Sequence, residues 1–200
     1  IPAFLFYLTD FADLPVGERI LASLFQAVTP RTAGYNTVDL TKMSDTSQAV
    51  TIMLMLTGGA PGSTAGGMKV TTLAVLIANA AAAFHRREDS RLFDRRLDYS
   101  AIRNAAAILL LYLSLTFVGA AVISEVEGLP LGACLYETAS AAGTVGLTLG
   151  LTPQLGTLSQ SILILLMFFG RVGGLTLIYA AFSGHDLTYA RYPKEMITVG

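Results

Sequence analysis

Charged residues cluster along this chain and leave three long stretches almost free of them. Residues 104–124 hold none in 21 positions, and as an α-helix they would reach about 31 Å, one hydrocarbon core. Residues 157–183 carry Arg171 alone, and residues 49–84 carry Lys69 alone. The last stretch, 36 residues, would extend about 54 Å as one helix, too far for a simple crossing. Its interruption is Gly58-Gly59-Ala60-Pro61-Gly62-Ser63-Thr64-Ala65-Gly66-Gly67. At ~1 kcal/mol per glycine and ~3 kcal/mol for proline, a helix unwinds there. The pattern therefore predicts helices over 104–124 and 157–184 and a broken one over 47–84.

Two further apolar segments, 17–29 and 131–142, are too short to cross a bilayer and too apolar to lie comfortably in water. That length suits a re-entrant helix. Each is followed by a Thr-x-Gly turn, over 32–36 and 144–148. Irregular backbone survives at membrane depth only where protein buries it or a wet cavity bathes it, so these turns are predicted to line a pore.

The two units repeat at an offset of 112 residues: Thr32 falls on Thr144, Gly34 on Gly146 and Gly58 on Gly170. Each runs helix, short segment, turn, then a long apolar segment broken by glycine. The first unit has only a stub, Ile1–Thr9, where the second has 104–124. The chain is thus expected to lack most of one helix and whole preceding repeats. Its opening, IPAFLFYLTD, has no initiating Met and no basic leader, as if it began inside a longer polypeptide.

Composition agrees with a bilayer as solvent. Apolar residues make up 53 % and charged residues 14 %, with a mean hydropathy of +0.59, too little polar surface for a soluble domain. The net charge of −1 offers no field for nucleic acid. A lone cysteine, Cys134, excludes an internal disulfide and a cysteine zinc cluster. Six arginines, Arg86, Arg87, Arg91, Arg95, Arg96 and Arg103, crowd the linker 85–103, and Arg191 and Lys194 lie in the tail 185–200. The opposite loops hold only Arg19, Arg31 and Lys42, which puts linker and tail in the cytoplasm. The acidic residues interleaved with the arginines fit a solvated, membrane-flanking face.

The chemistry expected of the turns is cation selection. An extended loop centred on glycine aims successive carbonyls at one axis and replaces the water around K⁺, and a short helix ahead of it points its negative end at the ion. The filter candidates are Thr32, Ala33, Gly34 and Tyr35, with Thr144, Val145, Gly146 and Leu147. Neither turn has the second glycine of a K⁺-channel filter; Asn36 and Thr148 stand there. The glycine-rich break is no phosphate loop, because Met68 separates Gly67 from Lys69; close helix packing by small residues is its competing reading. Arg171 would be costly in lipid and needs an aqueous path, a partner or a lipid phosphate. Glu137, inside the second short segment, either tunes the filter potential or caps a backbone group. His85 and His185 lack metal spacing, and no catalytic dyad is evident, so an enzyme is not expected.

TPRTAGYNT, GGAPGSTAGGMKVTT, GTVGLTLGLTP and GRVGGLT together resemble the Trk/Ktr/HKT superfamily of K⁺ uptake proteins, and the bacterial Ktr-type membrane subunit in particular. The resemblance implies an all-α membrane protein of tandem helix–pore-loop–helix repeats around a pseudo-fourfold path. Residues 1–84 would be the third repeat and 104–184 the fourth. It implies an intramembrane gate formed by Gly58, Gly59, Pro61, Gly62, Ser63, Thr64, Gly66, Gly67 and Lys69, and a cation barrier at Arg171. It further implies K⁺ held by backbone carbonyls, no organic cofactor, a homodimer of pore subunits and a cytoplasmic nucleotide-binding ring. A Na⁺-permeable member and a non-conducting anchor subunit are the alternatives.

Overall fold

The computed structural model describes residues 1–87, 89–93 and 95–173. Among these residues there are seven α-helices: α1 (Pro2–Thr9), α2 (Val16–Val28), α3 (Asp45–Leu56), α4 (Val70–Phe84), α5 (Tyr99–Glu127), α6 (Leu131–Gly143) and α7 (Thr157–Val172). Among the described residues, α5 is the one helix long and apolar enough to cross a membrane, with a mean hydropathy of 2.4 over its most apolar window. It exceeds the expected 104–124 at both ends. Asp98 precedes it in an extended conformation, and Gly128 stops it in the left-handed region at φ 67°.

α6 is the centre of the bundle. From Tyr136 to Gly143 every residue is buried, because α5, α7 and α3 all pack on it. One apolar core joins Phe6, Leu40 and Met55 of the first unit to Tyr112, Tyr136 and Val145 of the second. A second lies between α5, α6 and α7, around Ile123, Cys134 and Leu163. α2 differs from α6 in keeping Leu21, Leu24 and Val28 exposed.

The 112-residue offset holds in the backbone beyond the turns. One-turn 3₁₀ helices stand at Leu40–Lys42 and Thr152–Gln154, and α3 and α7 start at Asp45 and Thr157. α7 runs through Gly170 to Val172, and Gly173 follows it at φ 91°; Gly170 lets α6 approach, since a Cβ there would strike the Ala142 carbonyl. The linker 85–103 carries a short hairpin. Arg91–Leu92 (β1) pairs antiparallel with Arg95–Arg96 (β2), Arg96 bonds Asp89 at 2.9 Å, and Arg103 already lies in α5. Helix 157–184 beyond residue 173, the tail, His185, Arg191 and Lys194 lie outside the described residues.

At the end of the bundle away from this hairpin, each unit clasps its long helices together through a carboxylate. Asp10, after α1, accepts the Ser44 N–H at 2.7 Å and the Ser47 hydroxyl ahead of and within α3. Glu127, ending α5, accepts the Gly156 N–H at 2.9 Å and the Ser159 hydroxyl at 2.5 Å ahead of and within α7. Ser44 and Ser47 are related to Gly156 and Ser159 by the repeat, whereas the two carboxylates are not. Each unit thus satisfies one backbone N–H at a helix start, and a hydroxyl in its first turn, with its own acid.

Partial burial pushes the Asp10 carboxyl upward, but the bonds from Ser47, Thr9 and Ser44 outweigh it and hold the group below its ordinary value. A depressed folded pKa stabilises above the unfolded value, about pH 4, and that contribution is lost as pH falls through the folded value. Asp10→Asn should therefore melt lower than the parent at about pH 7, with the gap closing below about pH 4. Melting curves in detergent across that range test this; a gap unaltered by acid would refute it.

Candidate functional site

The turn after α2 and the turn after α6 adopt the same uncommon backbone. Thr32 and Thr144 have φ of 68° and 54°, and Gly34 and Gly146 have φ of 73° and 92°. For glycine this is free, but for β-branched threonine the left-handed region costs about 1–2 kcal/mol. The same strain recurs at equivalent positions of the two units. Ala33 and Val145, between them, keep negative φ. Residues of positive and negative φ thus alternate along both turns.

The carbonyls of Thr32, Ala33, Gly34, Thr144, Val145, Gly146 and Leu147 accept no hydrogen bond from the described residues. Unpaired backbone oxygens at such density need water or a cation. Tyr35 departs from the expected set: its carbonyl accepts the Thr29 hydroxyl at 2.6 Å, and its ring is exposed. Behind the second turn, Ser140 accepts the Val145 N–H on its carbonyl at 2.9 Å and the Gly146 N–H on its hydroxyl at 3.2 Å. Thr29 and Ser140 were not singled out from sequence. Their signal was a hydroxyl near the end of a short apolar helix, just ahead of a Thr-x-Gly turn.

The two turns abut. A Cβ on Gly34 would collide with the Val145 carbonyl oxygen and lie 3.7 Å from the Gly146 Cα. Alongside the second turn runs a cavity of about 630 Å³. Glu137, Thr144–Leu147, Thr148, Thr152, Met167 and Arg171 are among the residues that line it.

The glycine-rich break is a closed excursion between α3 and α4. Its stem is laced by Gly58 N–H to Met68 O at 2.6 Å, Met68 N–H to Leu56 O at 3.0 Å and Val70 N–H to Gly59 O at 3.2 Å. The tip turns back on itself through Ser63 N–H to Ala60 O at 3.1 Å, after Pro61 and Gly62. Lys69 donates to the Ala65 carbonyl at 2.5 Å and the Ser63 carbonyl at 3.4 Å. The Arg171 guanidinium reaches across from α7 to the Thr64 carbonyl between them. Gly66 rests on the second turn, since a Cβ there would collide with the Thr144 side chain. Loop, turn and arginine thus form one contiguous set, while His85 caps α4 at the hairpin end, its Nδ1 2.9 Å from Ala81 O.

Comparison with known proteins shows what the chain is similar to. The family model of TrkH, described as a cation transport protein, matches residues 1–186. The Ktr system potassium uptake protein B of Bacillus subtilis is 37 % identical over 187 residues, covering 94 % of this chain and 42 % of the relative. The potassium/sodium uptake protein NtpJ of Enterococcus hirae is 38 % identical over 189 residues, covering 92 % and 42 %. The crystal structure of the potassium transporter TrkH from Vibrio parahaemolyticus superposes with a TM-score of 0.73 at 21 % identity, over 90 % of this chain and 41 % of that one. The chain spans about two fifths of the length of these relatives.

Proposed function

This chain belongs to the TrkH family of cation transport proteins, and from that premise we propose that it forms the third and fourth pore repeats of a K⁺ uptake subunit in the cell membrane. The family is one of transporters, not enzymes, and its fold is the all-α pore-repeat fold. Relatives named for potassium uptake support K⁺ as the cargo. The observation that carries the reading is the pair of abutting turns with matched left-handed residues and unpaired carbonyls.

In this reading K⁺ sheds water onto the carbonyls of Thr32–Gly34 and Thr144–Leu147, in a ring completed by the two repeats absent from this chain. The negative ends of α2 and α6 stabilise the ion there. Residues 58–69 form the gate directly below, and the Gly66–Thr144 contact couples gate to filter. Opening requires the loop carbonyls to leave Lys69 and Arg171. The arginine-rich hairpin end faces the cytoplasm, where a nucleotide-binding ring would act on the loop through α4. Two such subunits would form a homodimer in the bilayer. Na⁺ permeation is the second reading, favoured by Asn36 and Thr148 at the place of a second filter glycine and by the potassium/sodium name of one relative.

Complementation of a K⁺-uptake-deficient bacterium by the full-length protein tests the assignment. The parent should rescue growth at low K⁺, and Gly146→Ser should rescue it poorly, because φ of 92° strains a side chain by about 1–2 kcal/mol. Rescue untouched by that change would refute the filter assignment, and a parent that restores no growth would favour a non-conducting anchor.

A further inference from the structure

Glu137 lies midway along α6 with 4 % of its surface exposed. Its Oε1 accepts the Thr148 hydroxyl at 2.6 Å and the Leu149 N–H at 2.8 Å, and its Oε2 accepts the Thr152 hydroxyl at 2.7 Å. The Thr148 hydroxyl oxygen also accepts the Gly150 N–H at 2.9 Å. One carboxylate therefore gathers the chain from 148 to 152, the segment that leaves the second turn. Bonds to an ionised acceptor are about twice as strong as neutral ones, and burial makes their loss costly.

The second turn is thus fastened at both ends from one face of α6, by Ser140 at its start and by Glu137, one helical turn away, at its exit. The first turn has no such acid. The residue 112 positions before Glu137 is Phe25, Thr29 fastens that turn by its hydroxyl, and Asn36 turns its own Oδ1 to the Val38 N–H at 3.3 Å. The carboxylate is a feature of one repeat, placed at the segment that follows Leu147.

We propose that Glu137 is a positioning residue that fixes the exit of the second turn and thereby sets K⁺ over Na⁺ discrimination. The inference rests on the filter reading above. Carbonyls select the larger ion when their support resists contraction around the smaller, so a loosened exit admits Na⁺.

The full-length protein in liposomes, with K⁺ and Na⁺ fluxes measured on the same preparations, provides the test. Glu137→Gln keeps an oxygen for Thr148 and Leu149 and an amide for the Thr152 oxygen, so its K⁺/Na⁺ flux ratio should stay within about twofold of the parent. Glu137→Ala leaves three donors unpaired, and its ratio should fall about tenfold, with faster amide exchange at Leu149. Thr152→Val removes one bond and should fall between, and it serves if the alanine variant does not fold. Equal losses in Gln and Ala would make charge the cause and overturn positioning; a parental ratio in Ala or in Thr152→Val would overturn it as well. A parent protein that carries neither cation would refute the filter reading, and this inference with it.

Discussion

Replacing Gly34 by alanine is expected to abolish K⁺ uptake, whereas the same change at Gly146 is expected to leave roughly a tenth of it. Both glycines are left-handed, φ 73° and 92°, so both substitutions carry a backbone strain of about 1–2 kcal/mol. Their surroundings separate them. A Cβ on Gly146 meets nothing within 4 Å, while on Gly34 it strikes the Val145 carbonyl oxygen and comes within 3.1 Å of that carbonyl carbon. Backbone cannot rotate aside as a side-chain tip can, so relief requires the two turns to part. The carbonyls of both then lose their common axis. Tracer uptake normalised to the amount of membrane-inserted protein measures the order. Uptake by Gly34→Ala matching that of Gly146→Ala would show that the turns do not abut in the working protein.

Neutralising Arg171 is expected to change uptake in the opposite direction. By Coulomb's law a fixed unit charge raises the energy of a cation ~10 Å away by ~1.7 kcal/mol at an effective permittivity of ~20; a barrier of that order would let Arg171→Gln speed flux roughly fifteenfold. The same change removes the guanidinium from the Thr64 carbonyl and frees the loop tip, which acts in the same sense. Arg171→Lys separates the two contributions. It keeps the charge but not the planar fork, so flux near the parental rate assigns the barrier to charge. Flux near that of the glutamine variant assigns it to the tether. Unchanged or slower transport by Arg171→Gln in correctly inserted protein would remove Arg171 from the pathway altogether.

Much of this architecture could be read along the chain, and the readable parts share a property. The helices at 16–28, 131–143 and 99–127, and the break between 56 and 70, follow from short-range terms: side-chain transfer energy, glycine and proline propensities, and helical rise. The repeat was legible because Thr32 and Gly34 recur as Thr144 and Gly146, and backbone that must be left-handed tolerates few residues. The repeat also pairs Gly58 with Gly170, without revealing what each does: Gly170 is an approach point for the Ala142 carbonyl, which lies on another helix.

Long-range pairing belongs to the tertiary structure. The clasps of Asp10 and Glu127 sit at unrelated positions within their repeats, because a carboxylate side chain can reach the same helix start from different places. Glu137 could tune a potential or cap a backbone group, and only the placement of Thr148, Leu149 and Thr152 around it reveals the capping bonds. The contact of Gly34 with Val145, of Gly66 with Thr144 and of Arg171 with Thr64 likewise joins residues distant along the chain. Hydrophobicity and propensity act residue by residue and so are written in order. Which oxygens meet which donors depends on how the helices pack, and packing is decided by the whole bundle at once.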